Sequence, residues 1–155
     1  IGEVTKRMKK AAAELEFEQA AEYRDLIENV KRIGEKTVRR MEEEFGSNPK
    51  DILAVIGPSI CKDCYEVSED VAAAFQKEFK EEQWQEILEE KPAHKYQLDL
   101  WRVNEIILEE AGIPKEQIEV SGVCTCCHFD WLFSHRATGG RRGNLAGVIT
   151  LMEGE

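Results

Sequence analysis

The sequence predicts an α+β protein with helices packed on a mixed sheet, preceded by a helical hairpin. Three observations point there. Residues 3–45 have helical composition throughout. Short apolar runs at Ile52–Ile56, Ile118–Val123 and Leu145–Leu151 read as strands. Amphipathic patterns with clear start and stop signals lie between them, without internal repeats or low-complexity linkers.

Residues 3–45 are dominated by Ala, Glu, Lys, Arg, Leu and Met, with one interior glycine, Gly34. Val4, Met8, Ala11, Ala12 and Leu15 repeat at helical spacing, and a second stripe runs from Phe17 through Ala20, Ala21, Ile27, Val30, Val38 and Met41. The phase slips between Glu14 and Phe17, which predicts a hairpin rather than one rod. The helix should end at Phe45-Gly46, with Pro49 just beyond. Ile52–Ile56 reads as a buried strand closed by Gly57-Pro58. Ser68 can cap the next helix, whose apolar face is Val71, Ala74, Phe75 and Phe79. Residues 80–95 are acidic and weakly patterned, with one helical turn expected around Trp84–Leu88 and a loop at Pro92. Leu98 to Trp101 opens another helix, with Leu100, Val103, Ile107 and Ala111 on one face and Gly112 and Pro114 at its end. Strands are then expected at 118–123, at Trp131–Phe133 and at Leu145–Leu151.

The 155 residues allow one sizeable core, or a small domain with a helical attachment. The net charge of −10 argues against general nucleic-acid affinity, because phosphate contacts need positive patches. No apolar run reaches the length of a membrane span, and no secretory pattern opens the chain. It begins on Ile1, as a fragment or processed chain would. Five cysteines, an odd count in a Lys/Glu-rich chain, favour a reducing cytoplasm and thiol roles over a disulfide framework.

The chemistry concentrates between Gly122 and Gly143, which holds three of the five cysteines and two of the three histidines. The segment leaves the end of a predicted strand, where α/β proteins place ligand sites. Cys124, Cys126, Cys127 and His128, together with Cys61-x-x-Cys64, are candidate ligands of a tetrahedral zinc site if the strands at 52–56 and 118–123 are neighbours. The other reading is ordinary loop cysteines. Ser134, His135, Arg136, Arg141 and Arg142 form a cationic group beside Gly139, Gly140 and Gly143. His135, Arg136 and Arg141 are the candidate substrate-binding residues, suited to phosphate or ribose. The other reading is a solvated hairpin loop. No catalytic residue is assigned. Asp99 and Asn104 fit a helix start and its packing better than an acid/base pair, and His94 reads as a surface histidine.

Two resemblances follow from particular residues. Met8 to Ile27, and above all Leu15 to Asp25, resembles the UVR motif, a helical hairpin of nucleotide-excision repair proteins and protease adaptors. The resemblance implies a protein partner for this segment. Further on, Ile56-Gly-Pro-Ser-Ile60, Cys64-Tyr-Glu-Val67, Leu98-Asp-Leu100, Cys124-Thr125, Leu132-Phe-Ser-His-Arg136 and Ala146-Gly-Val-Ile149 resemble the multicopper polyphenol oxidoreductase (laccase-like) family. Its members are also described as purine nucleoside phosphorylases and peptidoglycan-editing factors. The resemblance implies part of an α/β sandwich with mixed sheets. It also implies zinc-dependent phosphorolysis of adenosine, guanosine or inosine, with adenosine deamination besides, so the expected partners are a purine nucleoside and phosphate. The family's zinc ligands, two His and one Cys, lie in a half that this chain does not match. No His precedes His94, no Cys precedes Cys61, and no His-Ala-Gly-Trp-Arg-Gly motif occurs. The expected organisation is a UVR-like hairpin over 1–35 and the C-terminal part of the phosphorylase-type domain over 36–155, joined as in a chimera and inactive for want of those ligands.

Overall fold

The computed structural model describes residues 33–140 and 143–148. The expected turn near Glu16 and the helical stripes before Ile33 lie outside the described residues. Helix α1 occupies residues 33–45. It turns Val38 inward at 4% exposure and carries exposed i,i+4 ion pairs, Arg39 with Glu35 and Arg40 with Glu44. Gly46 ends it at φ +66°, donating its N–H to the Glu42 carbonyl, as the sequence leads one to expect.

Two small sheets follow. Strand β1 (Ala54–Ile56) pairs in parallel with β5 (Ile118–Val120), Ala54 opposite Ile118 and Ile56 opposite Val120. The second sheet is antiparallel, in the order β2 (Glu66–Ser68), β4 (Lys95–Leu98), β3 (Leu88–Lys91). Parallel and antiparallel pairing therefore both occur, in separate sheets. Helices α2 (Glu69–Glu78), α3 (Glu81–Ile87) and α4 (Leu100–Glu110) pack around them.

Helix α4 joins two cores. Val103, Ile106 and Ile107 pack into a buried cluster with Val71, Phe75, Phe79, Ile87, Leu88 and Leu98. Leu108 and Ala111 border the second cluster, in which Val38 of α1 meets Ile113 and Ile118. Arg102 fixes α4 to α3 by donating to Glu86 at 2.7 Å, while also bonding Glu109 of its own helix at 2.7 Å. The helix ends in a Schellman motif, with the Ile113 N–H on the Leu108 carbonyl and the Gly112 N–H on that of Glu109. Gly112 is at φ +96°, and a Cβ there would stand 3.2 Å from the Pro49 Cβ. Gly112→Ala is therefore expected to cost about 1–2 kcal/mol of stability, measurable by urea denaturation.

Three expectations are corrected. Residues 88–98 form a β-hairpin, where the sequence suggests a weakly patterned acidic stretch with a loop at Pro92 and a helix opening at Leu98. Only Leu88 and Leu98, at its far end, are buried, so the remaining charged residues hide the alternation. Its Pro92-Ala93-His94 connection places Ala93 and His94 at φ +63° and +55° without the glycine that would announce such a turn. Trp131–Phe133 is not a strand. The Trp131 and Leu132 N–H groups both turn back to the His128 carbonyl, and Trp131 and Phe133 are largely exposed. Residues 145–148 have no regular structure, and the rest of that expected strand lies outside the described residues.

Glu89 of β3 bonds Lys91, and Lys62 reaches it at 2.9 Å. The hydrogen bond from Lys91 and then that from Lys62 hold its carboxyl down at about 2, against an ordinary 4.5. A lowered folded value means that the stabilisation is complete above pH 4.5 and is lost as the pH falls towards 2. Glu89→Gln is expected to flatten the stability–pH curve within that window.

Candidate functional site

The carboxyl ends of β1 and β5 lie side by side because the pair is parallel. Two loops leave from there. Their backbones remain stitched together, with the Ser59 N–H on the Val123 carbonyl at 3.3 Å and the Thr125 N–H on that of Ser59 at 3.1 Å. A cleft of about 590 Å³ opens beyond them, lined by Ser59, Ile60 and Tyr65 from the first loop and by Thr125, Phe133, Ser134, His135, Arg136 and Gly139 from the second.

Each wall is held from behind. The Trp101 indole N–H of α4 donates to the Ser59 hydroxyl at 2.5 Å. The Leu98 N–H donates to the Tyr65 carbonyl at 3.0 Å. The short helix α5 (His135–Thr138) is capped by Ser134, which accepts from the Ala137 N–H and is only 4% exposed. Arg136 donates to the Glu66 carbonyl at 3.1 Å and lies 5.4 Å from the centre of the Tyr65 ring. A guanidinium carries five N–H donors, so an anchored Arg136 can still offer a fork to an anion. Phe133 and Tyr65 supply aromatic surface, and Ser59, Thr125 and Ser134 supply hydroxyls. A volume of this size suits a nucleoside-sized molecule.

Next to the cleft the same loops bring four thiols together. The sulfurs of Cys61, Cys64, Cys124 and Cys127 all lie within 4.8 Å of one another. Cys64 and Cys127 are 3.5 Å apart, and the Cys124 sulfur accepts from the Cys61 N–H at 3.3 Å and the Cys127 N–H at 3.4 Å. Burial pushes the Cys124 thiol up, but those N–H donors outweigh it and bring it down to about 6. Cys64 is pushed the other way, first by its hydrogen bond with Cys127 and then by burial.

Of the residues expected to bind substrate, His135 and Arg136 line the cleft, and Arg141 lies outside the described residues. Of the six candidate metal ligands, Cys61, Cys64, Cys124 and Cys127 come together as the thiol group. Cys126 and His128 are not members, and the His128 ring instead packs 5.7 Å from that of Trp131. The signal for the group is the Cys-x-x-Cys spacing, which occurs twice. Ser59, Tyr65, Thr125 and Phe133 were not expected in the cleft, because sequence alone does not bring two loops so far apart in the chain to a common wall. Asp99 caps α4 by accepting from the Arg102 N–H, and Asn104 donates to the Leu100 carbonyl, so both serve the helix. His94 is exposed beside Glu69.

An aromatic-lined cleft with an anchored arginine lies at the carboxyl ends of a parallel strand pair in an α+β fold, where such folds place ligand sites. More particularly, the chain belongs to the family described as multi-copper polyphenol oxidoreductase laccase, whose model matches residues 28–152. Residues 1–33 match the UvrB/uvrC motif. The purine nucleoside phosphorylase YlmD of Bacillus subtilis is 39% identical over 129 residues, 80% of this chain and 44% of that protein. A purine nucleoside phosphorylase of Bacteroides thetaiotaomicron is 39% identical over 114 residues, 73% of this chain and 42% of its own. The crystal structure of hypothetical protein YfiH from Bacillus licheniformis superposes with a TM-score of 0.64 at 39% identity, covering 70% of this chain and 40% of that one. The chain thus spans less than half the length of these relatives. Among the described residues no helix is long and apolar enough to cross a membrane.

Proposed function

We propose that residues 36–155 form the phosphate- and nucleoside-contacting part of a purine nucleoside phosphorylase site, carried behind a UVR-like hairpin at residues 1–35. The observation that carries this reading is Arg136, anchored by the Glu66 carbonyl and the Tyr65 ring at the mouth of a nucleoside-sized cleft. The phosphorylase names of its relatives support the choice of ligand. In this reading Arg136 takes the phosphate, Phe133 and Tyr65 border the purine, and the hydroxyls of Ser59 and Ser134 with His135 meet the ribose. The five free cysteines fit a reducing, cytoplasmic setting.

The zinc centre implied by the resemblance does not fit the residues present. It takes two His and one Cys, and among the described residues the one group of three or more metal-binding side chains is all cysteine. The chain by itself is therefore proposed to bind without turning over.

The test is an equilibrium titration of inorganic phosphate and of adenosine into the full chain. Phosphate is expected to bind weakly, and Arg136→Ala to weaken it at least about tenfold, because hydrogen bonds to a charged group are worth about 1.5–3 kcal/mol. Unchanged phosphate affinity in the variant would remove the reading.

A second reading rests on the UvrB/uvrC match at residues 1–33, which fits a protein-docking hairpin with the α/β part as passenger. It expects a chain lacking residues 1–33 to keep its phosphate affinity and to lose association with a partner carrying such a motif. Equal association by both chains would discard it.

A further inference from the structure

We propose that Cys61, Cys64, Cys124 and Cys127 bind one zinc ion as a tetrathiolate that fastens together the two loops walling the cleft. This stands on its own geometry, apart from the phosphorylase reading.

The ligands come as two Cys-x-x-Cys pairs, Cys61 with Cys64 and Cys124 with Cys127. Each pair sits on a loop leaving the carboxyl end of a different strand of the parallel β1–β5 pair. The backbone contacts between Ser59, Val123 and Thr125 set the two pairs face to face. A zinc–sulfur bond of about 2.3 Å places the four sulfurs of a tetrahedron about 3.8 Å apart. The four sulfurs here lie within 4.8 Å of one another, with one pair at 3.5 Å. That spacing surrounds a single ion and leaves no room for an iron–sulfur cluster with its own bridging sulfides. A disulfide would use two of the thiols and leave the other two beside it without a role. The N–H groups of Cys61 and Cys127 already point at the Cys124 sulfur, as the outer-shell donors of a thiolate site do.

On binding, each thiol still protonated gives its proton to solvent and its sulfur lone pair to the metal, with no change of oxidation state. The ion would clip together loops 63 residues apart in the chain. The site is closed by four protein ligands, so its role is structural rather than catalytic.

The experiment measures metal in the full chain, expressed with zinc and purified under reducing conditions without chelator. About one zinc per chain is expected by elemental analysis. A mercurial should release it in step with modification of four thiols. Cobalt in its place should give the intense sulfur-to-metal absorption of a tetrahedral four-sulfur site. Cys61→Ser and Cys127→Ser should weaken zinc by more than the 10–100-fold typical of losing an outer-shell partner. Cys126→Ser should leave it unchanged. Because a ligand variant can misfold, the mercurial and cobalt measurements on unmodified protein decide independently. Iron at the site, five freely reactive thiols with no metal, a Cys64–Cys127 disulfide under those conditions, or zinc lost only in Cys126→Ser would each overturn the proposal.

Discussion

Incubated with adenosine, inosine or guanosine together with phosphate and added zinc, the chain is expected to release no purine base above the uncatalysed background. Phosphorolysis needs more than a site that holds both reactants. Charge develops on the departing base and the entering phosphate, and a metal centre of the kind implied by the resemblance contributes several kcal/mol to stabilising it. Each step of about 1.36 kcal/mol is a factor of ten in rate. Losing that centre alone should cost roughly a thousandfold or more. In the proposed reading, Arg136 and the aromatic residues lining the cleft would contribute ground-state binding. Such uniform binding lowers the substrate concentration needed without raising the rate. Turnover at about 1 per second or faster would place the active site elsewhere in the chain.

Leu98→Ala is expected to be the most damaging single core change. Leu98 is fully buried at the end of β4, where the antiparallel sheet meets α2 and α4. Truncating a buried leucine costs about 2–5 kcal/mol, the removed methyls plus the cavity left behind. Domains of this kind have about 5–15 kcal/mol in total. The same residue's N–H holds the Tyr65 carbonyl, so loss of packing there should reach the cleft and weaken phosphate as well. Urea denaturation measures the first effect and phosphate titration the second. A cost under about 1 kcal/mol would mean that the core is organised around some other residue.

Much of the frame was legible in the sequence, for reasons that differ from element to element. The helices at 69–78 and 100–110 announced themselves through apolar spacing, with a Ser68 start signal for the first and Gly112 and Pro114 after the second, and Gly46 and Gly112 do adopt the left-handed conformation that ends a helix. The β-hairpin at 88–98 was hidden because its buried residues sit at one end and its turn uses Ala93 and His94. Trp131 and Phe133 looked like strand because aromatic residues favour strands, yet the Trp131 and Leu132 N–H groups turn back to the His128 carbonyl of their own loop. The site divides the same way. His135 and Arg136 stood out by chemistry and do line the cleft. Which cysteines converge depended on strand adjacency, since pairing Ala54 with Ile118 carries Cys61 and Cys64 to Cys124 and Cys127. Adjacent residues such as Cys126 and His128 looked equally suitable in the sequence, but the turn after Cys124 selects every third position.

The most direct measurement is to map, residue by residue, where ligand binds, by following the backbone amide resonances of isotope-labelled chain during titration with inosine and phosphate. The largest shifts are expected on Ser59, Tyr65, Thr125 and Ser134 to Arg136, and those at Arg136 should vanish when phosphate is omitted. Shifts confined to Gly34, Gly57 and Leu108, which line a second pocket, or to residues before Ile33, would contradict this.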